Sequence, residues 1–273
     1  MAYGDFDRPS NRKPLIGAAI AVAVAGLGGW FYWYTHHVPL PTVPAADQPE
    51  AEATLPAARI EHPMPAAPDE AAKTALPELN DSDQAIIEAL RNAAAGAPLV
   101  QYLVPESVIR HVVVTVDNLP RQKIAVDKRP VTPTMGAFIA DGDELHATLD
   151  KRNFKRYEPL MDVLRKADMQ RFAGVYVRFY PLLQKAYQDL GYPTGYFNDR
   201  LVQVIDMLLA TPQVAGPIEL VRPNVMYVFA DPKLEALPAG QKLLIRMGAD
   251  NAAAVKAKLM ELRAIITAAA PKR

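Results

Sequence analysis

This chain has no cysteine, and only two of its 273 residues are tryptophan. The first absence excludes disulfide staples, thiol nucleophiles, thiolate metal ligands and a lipid anchor attached through sulfur. It fits an oxidising compartment without requiring one. Histidine is scarce as well, at five residues, and His36, His37 and His62 all precede the region able to form a core. Adjacent histidines point in different directions along a helix and no carboxylate stands at ligand spacing, so neither a metal site nor a cofactor is assigned. There is no glycine-rich phosphate loop, no dinucleotide fingerprint and no GxSxG elbow. Formal net charge is zero, and the 25 basic and 21 acidic side chains of residues 80–273 are interspersed. Without a basic stripe, nucleic acid is not an expected partner.

Long apolar runs are also rare, because there is one. Residues 15–34, LIGAAIAVAVAGLGGWFYWY, carry no charge and as a helix just cross a hydrocarbon core of roughly 30 Å. Arg8, Arg12 and Lys13 precede the run, and no Lys or Arg follows it until Arg59, which puts the N-terminus in the cytoplasm. Trp30, Phe31, Tyr32, Trp33 and Tyr34 form an aromatic belt at the far end. A cleaved signal peptide is the rival reading, but cleavage after Ala25 would leave a short apolar core and a belt with no purpose. Gly17, Ala21, Ala25 and Gly29 recur every four residues, a small-residue face through which two spans could pair as a homodimer. Residues 1–14 are therefore expected in the cytoplasm and 15–35 in the membrane.

Residues 36–79 read as a linker. Nine prolines fall between Val38 and Leu79, with seven acidic residues against Arg59 and Lys73 and no apolar periodicity. Such a composition buries no core, so disorder is expected, with proline stiffness and self-repulsion favouring a reach of at most about 130 Å at roughly 3.1 Å per residue.

Residues 80–270 are long enough for one domain, and their periodicity predicts a mainly α fold with small β-hairpins. Asp81 or Ser82 can cap a helix over 83–94, which Gly96-Ala97-Pro98 ends. VVVTV favours strand by propensity, yet Val108, Ile109, Val112, Val113, Val116 and Leu119 fall at helical spacing, so 106–119 is read as helix. FIADGDELHATL suggests a hairpin around Asp141-Gly142-Asp143. Asn153 is expected to cap a helix to about Arg165, and Asp168 a long one over 169–190 that Pro181 kinks or breaks. A helix over 197–209, a hairpin over 217–230, a short helix over 238–247 and a last one capped by Asp250 or Asn251 complete the expectation.

Chemistry, if any, concentrates in residues 176–200, YVRFYPLLQKAYQDLGYPTGYFNDR. Tyr176, Tyr180, Tyr187, Tyr192 and Tyr196 stand there beside Arg178, Asn198, Asp199 and Arg200. Aromatic planes beside amide, acid and guanidinium groups suit a groove for a ligand or partner, and the same residues also suit a packed helix corner. No catalytic residue is assigned. Glu158, Asp162, Asp199 and Asp206 could supply a carboxylate pair, but any domain this rich in acids offers one.

The stretches VVVTVDNLPR, FYPLLQKAYQDLGYP with FNDRLVQVIDMLLATP, and FADPKLEALPAGQKLLIRMGADNAAAVKAKLMELR resemble the bacterial membrane-anchored family called domain of unknown function 3014 (DUF3014). The resemblance runs from about residue 81 to 269. It implies a bacterial cell-envelope protein and brings no established activity or site residue. Two functions stay open: a non-catalytic protein-interaction or scaffolding module held at the inner membrane with its domain in the periplasm, and a domain that binds or modifies peptidoglycan.

Overall fold

The computed structural model describes residues 60–65, 75–143 and 146–268. The expected span with its small-residue face at Gly17, Ala21, Ala25 and Gly29 lies outside them. Among the described residues no helix is long and apolar enough to cross a membrane.

The domain is mainly helical with one small antiparallel sheet. Its helices are α1 (Asp83–Ala93), α2 (Val108–Asn118), α3 (Arg152–Lys155), α4 (Glu158–Lys166), α5 (Met169–Asp189), α6 (Phe197–Leu209), α7 (Pro232–Glu235), α8 (Ala239–Met247) and α9 (Ala249–Ile266). The strands are β1 (Ala140–Gly142), β2 (Ala147–Leu149), β3 (Glu219–Val221) and β4 (Val228–Phe229). Both expected hairpins form, and they join: β2 pairs with β3 across Ala147↔Leu220, giving the order β1-β2-β3-β4. Two hairpins too short to be stable alone thus share one apolar face.

The main core lies where α1, α2, α4, α5, α6 and α8 converge. Ile86, Val108, Val113, Met161, Phe179, Leu183, Phe197, Val204 and Leu244 fill it. The valine-rich run is helical, because its apolar residues meet one continuous core and Val108, Ile109, Val113 and Val116 are buried together. Leu149, Leu220, Phe229 and Ile245 form a second cluster under the sheet. Ile266 at the end of α9 closes a third on Val202 and Ile205.

Several helix ends differ from expectation. Ser82 donates its hydroxyl to the Leu79 carbonyl at 2.7 Å and does not cap α1. Instead Asp83 reaches across to α2, accepting from the backbone N–H of Ser107 at 2.7 Å and Val108 at 2.8 Å. The helix expected from Asn153 to Arg165 is two, α3 and α4, since Pro159 suits only the first turn of a new helix. Asn153 is buried and bonds the Ile139 carbonyl and N–H, pinning the approach to β1. Pro181 does not divide α5, which runs unbroken with Pro181 on its exposed face, where water can serve the carbonyl left without a donor. Asp168 caps α5 as expected, accepting from Gln170 N–H at 2.9 Å. The cap of α9 is Gly248, at φ 87°, where a Cβ would press on the Phe154 ring at 2.7 Å. Asn251 is buried and bonds the Phe154 and Met247 carbonyls instead.

The stretch assigned to the linker contributes more than a tether. Leu79 is buried in the main core within a short 3-10 turn, and residues 60–65 lie against α6.

Candidate functional site

The candidate site is built on the loop between α5 and α6. The first backbone N–H groups of a helix have no partner within it, and Tyr196, the residue before α6, offers no side-chain cap. Helix α5 supplies the partners. Gln184 Oε1 accepts from Phe197 N–H at 2.8 Å, and the Tyr180 hydroxyl accepts from Asn198 N–H at 3.3 Å. Gln184 also donates to the Gly195 carbonyl at 2.7 Å. Gly195 has to be glycine for space, since a Cβ there would stand 2.8 Å from the Tyr187 ring.

With the helix end served from behind, the next side chains face outward to residues 60–65. Asp199 accepts from two successive main-chain donors, Glu61 N–H at 3.1 Å and His62 N–H at 2.7 Å. Asn198 donates to the His62 carbonyl at 2.8 Å, and the Tyr196 hydroxyl accepts from Met64 N–H at 2.9 Å. Pro63 sits at the one position between these donors where no N–H is used. The result is a clamp that holds a bent backbone through four hydrogen bonds to its main-chain atoms.

Behind the clamp its parts are fixed. Asn198 is fully buried, accepts from the Tyr176 hydroxyl at 2.9 Å and donates to the Ile266 carbonyl at 3.3 Å, tying α5, α6 and the end of α9 together. Tyr176 and Tyr180 meet edge to face at 5.7 Å between ring centres, and Tyr180 and Tyr196 lie tilted to each other at 5.6 Å. Burial pushes both the Tyr176 and Tyr180 hydroxyls well above the ordinary tyrosine range, with the Tyr196 hydroxyl adding to the effect on Tyr180. They remain protonated through any physiological pH.

The other predicted site residues belong elsewhere. Tyr187 stacks on Tyr192 at 4.6 Å, beside a buried ion pair that sequence reasoning missed. Asp117, 1% exposed on α2, is bonded by Arg200 Nη2 at 3.1 Å and by Arg121. Arg121 also donates to the Tyr192 hydroxyl at 3.3 Å. Its hydrogen bond to Asp117 raises the Arg121 guanidinium above its ordinary range. Arg178 joins neither group: on a helix it points about 200° from Tyr176, and its guanidinium lies over the neighbouring Phe179 ring at 5.4 Å.

Acid–base chemistry finds little to work with. Asp199 is engaged by the clamp, and Asp206 is held by Arg263 at 2.5 and 2.9 Å, a bond that lowers its carboxyl below the ordinary range. Asp162 pairs with Arg165 one turn further along α4. A cleft of about 240 Å³ between Arg110, His111, Lys128 and Asp189 is also largely committed, since Arg110 bonds Asp189 and Asn80.

Fold and site together define a mainly helical domain with a small antiparallel sheet, carrying a main-chain clamp at the start of one helix. Residues 108–263, more than half of the chain, match the family model described as protein of unknown function (DUF3014), and the chain belongs to that family. No curated protein and no solved structure matches it.

Proposed function

We propose that this is a single-pass protein of the bacterial inner membrane, with its N-terminus in the cytoplasm, whose helical domain serves in the periplasm as a non-catalytic protein-interaction or scaffolding module. The observation that carries the reading is the clamp: Tyr196, Asn198 and Asp199 direct four hydrogen bonds at a polypeptide main chain. Groups so placed hold a segment and activate nothing. The membrane part of the reading draws on the uncharged run at residues 15–34, the basic residues before it and the aromatic belt after it. Peptidoglycan binding has less support, because Tyr176, Tyr180 and Tyr187 spend their ring faces on neighbouring rings rather than on an open row.

Absence of cysteine makes the topology easy to test. A cysteine placed at Ser10 should resist, and one at Ala71 should accept, a membrane-impermeant maleimide applied to whole cells with a permeabilised outer membrane. Labelling at Ser10 alone would reverse the orientation. For the interaction itself, a photocrosslinking residue at exposed Gln203 should join the full chain to another envelope polypeptide in living cells, and Asp199→Ala should weaken that product. Crosslinks to glycan strands alone would favour the peptidoglycan reading instead.

A further inference from the structure

We infer that the clamp is a binding site for a short peptide segment of the pattern x-x-Pro-x, bent before its proline, on another envelope polypeptide, and that residues 60–65 occupy it in cis as a built-in competitor. The inference rests on the interaction-module reading and names its ligand class and its regulation.

Three observations carry it. First, the resident segment is held through the N–H groups of Glu61, His62 and Met64 and the carbonyl of His62, so none of these bonds depends on which side chains it presents. These four bonds require a free N–H at the first, second and fourth positions, and a proline at the third leaves all of them intact. Any partner segment meeting that condition can make the same bonds.

Second, the clamp and its occupant are separable parts of the chain. Tyr196, Asn198 and Asp199 fall inside residues 108–263, the region that defines the family, whereas residues 60–65 fall outside it. Third, the clamp is a built site. Asn198 is fully buried and oriented by Tyr176 and the Ile266 carbonyl, leaving one N–H aimed at the position of the His62 carbonyl. The His62 carbonyl supplies the acceptor for that N–H while the segment covers it.

Occupation in cis sets a threshold. A segment joined to the domain by a short connection competes at an effective concentration on the order of millimolar, and an outside segment binds with its affinity reduced by the fraction of clamps that are open.

The test uses the full chain in nanodiscs and a fluorescein-labelled peptide, AARIEHPMPAAP, which copies residues 57–68. Glu61→Pro, His62→Pro and Met64→Pro together remove all three resident donors. That variant should bind the peptide at least about tenfold more tightly than the native chain, as expected when a closed fraction of 90% or more is released. Adding Asp199→Ala should abolish the gain. A peptide with proline in place of its histidine, which lacks the second donor, should fail to bind either chain. In the native chain, excess peptide should speed amide hydrogen exchange at residues 61, 62 and 64.

Equal affinity for the native and triple-proline chains would overturn the cis competition while leaving an interaction module intact. Binding that survives Asp199→Ala would overturn the clamp as the peptide site. No binding to a triple-proline chain whose circular dichroism and melting match the native chain would overturn both. A native dimer that becomes a monomer in the triple-proline variant would replace the outside ligand with exchange of residues 60–65 between two copies.

Discussion

Asp199 and Arg200 are neighbours in the first turn of α6, and they serve opposite ends. Asp199 faces outward and spends both carboxylate oxygens on the main chain of residues 61 and 62. Arg200 turns inward and bonds the side chain and carbonyl of Asp117, an acid from another helix with almost no access to water. One bond set holds a segment against the side of α6, and the other joins two helices through a buried acid. The dense aromatic segment is therefore two structures, a clamp around Tyr176, Tyr180 and Tyr196 and a buried lock around Tyr187, Tyr192 and Arg200.

The largest expected effect comes from breaking the lock. Asp117→Ala leaves Arg200, itself mostly covered, without its acid, and loss of one partner of a buried pair costs about 3–5 kcal/mol. Urea unfolding of the full chain should show a midpoint lowered accordingly, with a nearly unchanged slope. A loss below about 1 kcal/mol would mean the pair behaves as an exposed one and would remove the contrast with Asp199.

Sequence reasoning could reach the clamp's residues but not their use. Tyr176, Tyr180, Tyr196, Asn198 and Asp199 stand out by density, yet their occupant comes from a proline-rich stretch more than 130 positions earlier. A faint signal was there: Ile60, His62 and Met64 are larger side chains in a stretch of Ala, Pro and Glu. Asp117 was legible in the same way, as a lone acid four residues after Val113 on an apolar helix face. Helices such as α2 were readable because one local period decides them. The β2–β3 pairing and the cap that Asp83 lends α2 join residues distant in the chain, and no local pattern encodes either.

A middle-sized effect should appear at alkaline pH, and it lies between the two structures because Tyr176 and Tyr180 support the clamp from within. Their hydroxyls are raised in the folded chain, chiefly by burial, whereas unfolding returns them to about 10. Above that pH the unfolded state sheds protons that the folded state retains, so stability is fully present below about pH 10 and falls as pH rises beyond it. Tyr176→Phe should flatten this fall. It should also cost about 1–3 kcal/mol at neutral pH, because the Asn198 side-chain oxygen loses its donor. Urea midpoints of both chains at pH 7 and pH 11 measure both quantities, and parallel pH profiles would show that Tyr176 ionises freely when folded.

The smallest effect on stability is expected at the clamp itself, and there the comparison can be drawn between two adjacent residues. Asp199 touches the resident segment through its carboxylate, while Asn198 bonds that segment, Tyr176 and Ile266 at once. Asp199→Ala should therefore speed amide exchange at residues 61 and 62 with a change in global stability of about 1 kcal/mol or less. Asn198→Ala should speed the same amides but also leave the Tyr176 hydroxyl and the Ile266 carbonyl short of a partner, costing about 1–3 kcal/mol in addition. Exchange measured residue by residue in both variants separates release from damage. If Asp199→Ala lowered global stability as far as Asn198→Ala, residues 60–65 would be a structural part of the domain, and the outward face of α6 would be no more releasable than the buried lock behind it.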